Sequence, residues 1–193
     1  MNYLAHLVLS GPDPQMRTGG FLGDWLKGPL HLHQSKWPDK VLEGVQRHRH
    51  IDAWIDQQPE TAQAMALLGP RYRRLAGPVI DIAFDHLLCQ QFSHWHKQSL
   101  SAFCQNVFLQ LSPYQPYMPI GAQRFLTRAQ AHHLFERYGD ITTYHGVVAS
   151  LQRRLTKPEL LNGIEPTLEQ QHTAIAALFA TVYPKLIKHV DTL

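Results

Sequence analysis

Apolar residues recur every three to four positions along most of the chain, and the alternation typical of strands is scarce. Gly- and Pro-containing pairs interrupt this spacing at short intervals, as is usual between secondary-structure elements. The segments between these interruptions predict helices over residues 2–9, 16–27, 38–56, 59–67, 71–75, 78–95, 99–111, 121–137, 140–155 and 167–190. The pattern therefore predicts an all-α fold, a compact multi-helix bundle that forms a single domain over residues 1–193.

A Pro-rich stretch over residues 112–119 is the only candidate for a domain boundary. It is short, and it carries the aromatic residues Tyr114 and Tyr117, which is not the composition of a flexible tether. We expect an ordered loop between two helices at this point. No internal repeat and no low-complexity segment divides the chain.

One predicted helix, which contains Asp81, Asp85 and His86, is otherwise apolar around nearly its whole circumference and should be buried. Asp81 and Asp85 are four residues apart, so they share a face and repel each other unless a cation lies between them. An unpaired buried carboxylate is costly, which makes this segment informative. Two interpretations stay open, a metal ion shared by these acids or a structural ion-pair network with Arg73 or Arg74.

A second pair of polar residues lies on the helix predicted over 38–56. One stripe of this helix begins with valines and then carries His48 and Asp52, four residues apart. Side chains at this spacing point the same way and can converge on one ion. The alternative is a His–Asp pair that satisfies itself at the helix surface.

Two more polar residues stand in apolar surroundings. Asp24 follows the glycine-containing run 18–23, and those glycines allow another backbone to approach closely. His6 lies within an apolar segment at the beginning of the chain, where a lone histidine is more often a core residue than a ligand. Either residue alone is weak evidence of a site.

Taken together, these side chains offer imidazole and carboxylate donors without a thiolate. Such a set suits Mn²⁺, Fe²⁺, Mg²⁺ or catalytic Zn²⁺, and a metal of this kind lowers the pKa of bound water and holds a phosphoryl oxygen. The chemistry indicated is hydrolysis of a phosphate ester. The chain has no glycine-rich phosphate loop, no Gly-x-Ser-x-Gly elbow and no His-Glu-x-x-His motif, which argues against other common hydrolases. The candidate set is His6, Asp24, His48, Asp52, Asp81, Asp85 and His86.

The charge and the cysteine content indicate the kind of partner and the cellular compartment. The net charge of +3 is mildly basic, and because Lys and Arg form no long stripe it indicates an acidic partner more than a nucleic acid. The two cysteines, Cys89 and Cys104, do not support a disulfide framework. No stretch reaches the roughly 18 apolar residues that span a bilayer, and the apolar beginning of the chain is a poor signal peptide. We expect a cytoplasmic protein with no membrane partner.

Four motifs occur along the chain, in the order MNYLAHL (1–7), GDWLKG (23–28), HRHID (48–52, with Asp56) and DIAFDHL (81–87). In these motifs the chain resembles the bacterial acyl carrier protein phosphodiesterases, a family regarded as an atypical relative of the HD-domain metal phosphohydrolases. The resemblance covers the whole length. It implies an all-helical, HD-like fold, a divalent metal with Mn²⁺ favoured, and hydrolysis of holo-acyl carrier protein by metal-activated water to the apo form and 4′-phosphopantetheine.

The resemblance implies the same His and Asp residues as site candidates, with one departure from ordinary HD enzymes. Those enzymes carry an adjacent His-Asp pair, whereas the adjacent pair here is Asp85-His86. We therefore assign ligands from helix faces and not by analogy. The predicted catalytic residues are His6 and Asp81, and the predicted metal ligands are Asp24, His48, Asp52, Asp85 and His86.

The implied partner is acyl carrier protein, an acidic protein, and four basic residues are predicted to contact it: Arg49, Arg71, Arg73 and Arg74. Two other functions stay open. The basic runs also fit an HD-like phosphohydrolase of a small nucleotide. A non-enzymatic adaptor could bind acyl carrier protein through the same surface, but a docking surface needs no internal carboxylates.

Overall fold

The computed structural model describes residues 1–193, and it consists of helices and connecting turns without a β-strand. The α-helices are α1 (Tyr3–Leu9), α2 (Pro14–Leu22), α3 (Asp39–Ile55), α4 (Pro59–Leu67), α5 (Ala76–Gln90), α6 (Phe92–Trp95), α7 (Leu100–Leu111), α8 (Ile120–Ala131), α9 (Leu134–Arg137), α10 (Ile141–Arg154) and α11 (Ile164–Val190). Short 3-10 helices cover Leu30–His33, Pro70–Tyr72, Ser112–Tyr117 and Pro158–Leu161. The predicted all-α class is confirmed, and no helix combines the length and apolar character needed to cross a membrane.

Four predicted helices differ from the structure. The helix predicted over 78–95 is divided at Gln91 into α5 and α6, and the one predicted over 71–75 is only a short 3-10 helix at Pro70–Tyr72. Helix α2 begins at Pro14, where the Asp13 carboxylate accepts the free N–H groups of the first turn, and it ends at Leu22. Asp24 therefore lies in a turn after the helix and not inside it. The helix predicted over 121–137 is divided because His133 adopts the left-handed conformation, with φ of 50°.

A single cluster of 49 buried residues forms the core. Helix α5 lies at its centre and contacts α1, α4, α10 and α11, which explains its apolar circumference. Helices α2 and α3 pack closely because both lack a side chain where they meet. A β-carbon on Gly19 would lie 2.1 Å from the Val41 carbonyl oxygen, and one on Gly44 would lie 2.3 Å from that of Met16. This contact sets the turn after α2 against the second half of α3.

Candidate metal centre

Three polar side chains from two helices converge at one point. His6 comes from α1, and His48 and Asp52 come from successive turns of α3. Each offers one ligand atom within 4.8 Å of the others. Nε2 of His6 lies 3.0 Å from Oδ1 of Asp52, and Nε2 of His48 lies 3.2 Å from Oδ2 of the same carboxylate. The arrangement is a compact donor set of two imidazoles and one carboxylate.

A hydrogen bond on the side of the ring away from Asp52 fixes the orientation of His48. Its Nδ1 lies 2.7 Å from the carbonyl oxygen of Gly20, and because a carbonyl only accepts, Nδ1 carries the hydrogen. Nε2, which faces Asp52, is then the nitrogen with a free lone pair. Metal-binding histidines are usually held in this way by their second nitrogen. A β-carbon on Gly23 would lie 2.1 Å from the His48 ring, so this position requires glycine.

His6 is buried, and neither of its ring nitrogens makes a hydrogen bond. Nε2 is near Asp52, but the direction of the contact does not suit a hydrogen bond. Burial and, to a smaller extent, His48 lower the pKa of His6 while Asp52 opposes both, and the net value is about 4. The ring is therefore neutral at pH 7. A buried polar atom without a partner costs about 1–3 kcal/mol, and a bound cation would relieve that cost.

Asp52 is the carboxylate shared by both rings. Burial alone would raise its pKa, but the adjacent rings of His48 and His6 and the Met1 amine outweigh burial and hold the pKa well below its ordinary value. Asp52 is therefore ionised at neutral pH. Two imidazoles and one carboxylate match the donors preferred by divalent manganese, iron and zinc, so these residues fit the expected metal.

An open cavity adjoins this cluster. Oδ1 of Asp24 lies 3.9 Å from Nε2 of His48, and Nζ of Lys27 lies 3.9 Å from the same carboxylate oxygen. Nη2 of Arg49 donates to the carbonyl of Leu26 at 2.6 Å, which holds the guanidinium beside the cavity. Two cations thus stand next to the donor set. The cavity is lined by Gly23, Asp24, Lys27, Gly28, Pro29, His48, Arg49 and Asp52.

Asp81 lies at the edge of the same cluster. Its Oδ1 is 2.7 Å from the amino group of Met1, which is itself 3.7 Å from Oδ1 of Asp52. Burial alone would lower the pKa of this amine, but Asp81 and Asp52 raise it above its ordinary value. Asp81 makes no ion pair with Arg73 or Arg74, so the structure does not contain the salt-bridge network that the sequence left open.

Asp85 lies outside the cluster, so the structure does not bring it together with His48 and Asp52. It is fully buried, and its carboxylate accepts hydrogen bonds from the backbone N–H groups of Asn2, Leu4 and Ala5 at 3.3, 2.7 and 3.2 Å. Such groups at a helix N-terminus have no partner within the helix. Burial raises the pKa of Asp85 to about 7, against these hydrogen bonds. Asp85 holds α1 in place, and thereby His6.

His86 also lies elsewhere, because successive helix residues point about 100° apart. Its Nδ1 donates to the carbonyl of Tyr138 at 2.7 Å, and its ring stacks on Tyr144 with centroids 4.3 Å apart. The structure therefore does not bring His86 together with His48 and Asp52. His86 links α5 to α10.

The arginines predicted to contact a partner fall into two groups. Arg49 borders the cavity, as described. Arg71, Arg73 and Arg74 are exposed in the segment before α5, and none of them makes an ion pair. The guanidinium of Arg71 lies 5.3 Å from the ring centroid of Tyr72. These three side chains do not line the cavity.

Sequence reasoning missed three contributors to the site: the Gly20 carbonyl, the space left by Gly23, and Lys27. The glycine-containing run was a visible signal, but which glycine faces His48 depends on how α2 packs on α3. Lys27 follows Asp24 by three residues, a spacing that suggests a local ion pair without indicating a cavity.

Comparisons with known proteins agree on one family. The family model described as acyl carrier protein phosphodiesterase matches residues 1–186. A protein of that name from Yersinia pestis is 27% identical over 195 residues, covering 99% of this chain and 98% of its own. One from Photorhabdus laumondii is 28% identical, covering 99% and 96%, and one from Salmonella agona is 27% identical, covering 97% and 96%. No solved structure matches the chain, so the relation to HD-domain enzymes stays a prediction.

Proposed function

The chain belongs to the acyl carrier protein phosphodiesterase family, and we propose that in the cytoplasm it hydrolyses the phosphodiester joining 4′-phosphopantetheine to the serine of holo-acyl carrier protein. The products are apo-acyl carrier protein and 4′-phosphopantetheine. The observation that carries this proposal is the convergence of His6, His48 and Asp52 beside an open cavity. A phosphodiester needs such a site, because its cleavage requires charge stabilisation and an activated water.

We propose further that the reaction depends on a divalent metal, with Mn²⁺ favoured over Mg²⁺, Fe²⁺ and Zn²⁺. His6, His48 and Asp52 would hold it, and Asp24 is the next carboxylate within reach of His48. When bound, a divalent cation supplies Lewis-acid polarisation of a phosphoryl oxygen and a lower pKa for water. His6, predicted from the sequence as catalytic, is thus reassigned to the metal-holding group.

Arg49 and Lys27 are proposed to bind the anionic phosphate. Arg49 uses one N–H group on the Leu26 carbonyl, which leaves others of its planar fork free for phosphate oxygens. Lys27 lines the same cavity as a mobile point charge. Together they would hold the substrate phosphorus next to the donor set, and they would stabilise negative charge that grows as the ester bond breaks.

Asp81 is proposed to accept a proton during hydrolysis. Its carboxylate stands beside Asp52 at the edge of the cluster, and its side chain is 32% exposed, so water reaches it. The attacking water must lose a proton, and the serine oxygen that leaves must gain one. An Asp in this position can take the first proton without being part of the metal-holding group.

The direct experiment is to incubate the purified protein with holo-acyl carrier protein and Mn²⁺, and to follow the mass of the carrier protein. Loss of the arm, with intact apo-protein and free 4′-phosphopantetheine, is the expected result. Asp52→Asn serves as the matched inactive variant. An unchanged carrier mass would contradict the proposal. Hydrolysis of small nucleotides alone would favour the nucleotide phosphohydrolase, and binding without cleavage would favour the adaptor.

A further inference from the structure

A long part of the chain carries no acidic residue. No Asp or Glu occurs between Asp85 and Glu136, a segment that includes α7 and α8, whereas Lys97, Arg124 and Arg128 lie within it. Acidic and basic residues are usually interspersed on a protein surface. The surface built from this segment therefore offers positive charge without any carboxylate to repel an acidic partner.

The cations of α8 share a face with exposed apolar residues. Ile120, Arg124 and Arg128 follow at intervals of four residues and form one row along the helix. Ile120 is 62% exposed, and the nearby Tyr117 is also 62% exposed. Nε of Arg128 donates to the carbonyl of Arg124, and neither guanidinium has a carboxylate within ion-pair distance. We call Tyr117, Ile120, Arg124 and Arg128 the α8 surface.

An adjacent side of α8 lies against the turn that carries Asp24, because successive helix residues point about 100° apart. The ring of Phe125 stacks on Tyr3 with centroids 4.3 Å apart and lies 6.5 Å from Trp25, the residue after Asp24. A β-carbon on Gly121 would lie 2.6 Å from the Trp25 ring, so the helix and this turn are in close contact. The α8 surface therefore lies on the same helix that packs on Trp25, one residue from Asp24 in the cavity lining.

We propose that the α8 surface is where the carrier protein docks. This inference rests on the proposed function, because a protein substrate is too large for the cavity and must be held outside while its arm enters. Unpaired arginines next to exposed apolar side chains match a partner face that is acidic at its rim and apolar at its centre. No exposed large apolar residue accompanies the arginines in the segment before α5.

The test compares two charge reversals of equal size. Arg124→Glu with Arg128→Glu alters the α8 surface, and Arg73→Glu with Arg74→Glu alters two exposed arginines elsewhere. Fluorescently labelled apo-acyl carrier protein is titrated with each variant, so binding is measured without cleavage. We expect the Kd of the α8 variant to rise about ten-fold and to lose most of its salt dependence. The Arg73 and Arg74 variant tests the partner contacts that the sequence predicts before α5, and it should bind like the wild type if the carrier protein docks on the α8 surface instead.

Turnover gives a second measurement. The α8 variant should raise KM for holo-acyl carrier protein and leave hydrolysis of bis(p-nitrophenyl) phosphate unchanged. Arg124→Gln with Arg128→Gln, which retains helix-forming side chains, should give a smaller effect in the same direction. An unchanged Kd for the α8 variant would overturn the proposal, as would a rise seen only with the Arg73 and Arg74 variant. Weakened binding in a protein that never cleaves the arm would support docking while refuting the proposed function.

Discussion

His6 and His48 come from different helices, yet their imidazole rings stack with centroids 3.5 Å apart and planes 16° from parallel. Both rings turn a nitrogen toward the carboxylate of Asp52. Two stacked rings cannot both be protonated without strong repulsion, and burial together with the neighbouring His48 lowers the pKa of His6. The contact thus creates a donor set that neither helix could make alone.

Gly23→Ala should disrupt this set without touching a ligand. An added β-carbon would lie 2.1 Å from the His48 ring, so the imidazole must move. Misplacement of a catalytic group by about 1 Å can cost 10²-fold in rate, and we expect kcat to fall by at least ten-fold. Gly146→Ala is the matched control, because nothing lies within 4 Å of its added β-carbon. Equal activity in both variants would show that His48 has room to adapt.

Asp85→Asn should destabilise the protein, because the amide offers one acceptor oxygen to three backbone N–H groups of the α1 terminus. Buried N–H groups without a partner cost about 1–3 kcal/mol, so the free energy of unfolding in urea should fall by about that amount. Asp81→Asn, at a partly exposed position, should change it less. A fully stable Asp85→Asn protein that no longer binds Mn²⁺ would return Asp85 to the ligands.

His6 should make the apo-protein sensitive to acid. Its folded-state pKa of about 4 lies below the unfolded value of 6.5, so the unfolded chain binds more protons between these values. The contribution of His6 to the free energy of unfolding is therefore fully present above pH 6.5 and is lost as the pH falls toward 4. The loss amounts to about 3 kcal/mol at most, since one pKa unit is worth about 1.4 kcal/mol.

The measurement is urea unfolding of the metal-free wild type and His6→Gln between pH 4.5 and 7. Asp85 acts with the opposite sign in this window, because its pKa is raised to about 7 and the folded state then binds more protons. Only the difference between the two proteins reports on His6. The free energy of unfolding of the wild type minus that of His6→Gln should fall as the pH falls. A constant value would argue against a buried neutral ring.

The sequence predicts contacts between site residues that are close together in the chain better than contacts between residues that are far apart in it. The convergence of His48 and Asp52 was predictable, because four-residue spacing on one helix brings side chains together. The contribution of His6 could not be derived in that way, since it depends on α1 packing beside α3. The position of Asp85 outside the cluster could not be predicted, because a buried carboxylate that accepts backbone N–H groups has the same sequence signature as one that binds a cation.

The helices, too, are predicted well in position but less well at their ends. Their apolar spacing predicted most of them in place, including α4 over 59–67 and the ordered stretch at 112–117. The end of α2 was predicted too late, because the spacing continues through Trp25 and Leu26 although the backbone has already turned. Tertiary contacts, here the His48 ring beside Gly23, decide such boundaries.

Arg49→Ala should weaken the reaction with every phosphodiester. If its guanidinium binds the phosphate, kcat/KM should fall for holo-acyl carrier protein and for bis(p-nitrophenyl) phosphate alike, by about ten-fold or more, as expected for a charge-assisted contact. His50→Ala, an exposed neighbour on α3, is the control and should be neutral. A loss confined to the protein substrate would move Arg49 from the phosphate site to the docking surface.

The most direct test of the central claim is calorimetric titration of Mn²⁺ into metal-stripped protein. Wild type and His50→Gln should bind Mn²⁺ saturably with the same Kd, because His50 is exposed and outside the donor set. In His48→Gln the Kd should rise by at least about ten-fold, since even residues that only support a ligand contribute that much. Activity should follow occupancy and disappear with excess chelator. Unchanged Mn²⁺ affinity in His48→Gln, or full activity in chelator, would contradict the claim that His6, His48 and Asp52 hold a metal.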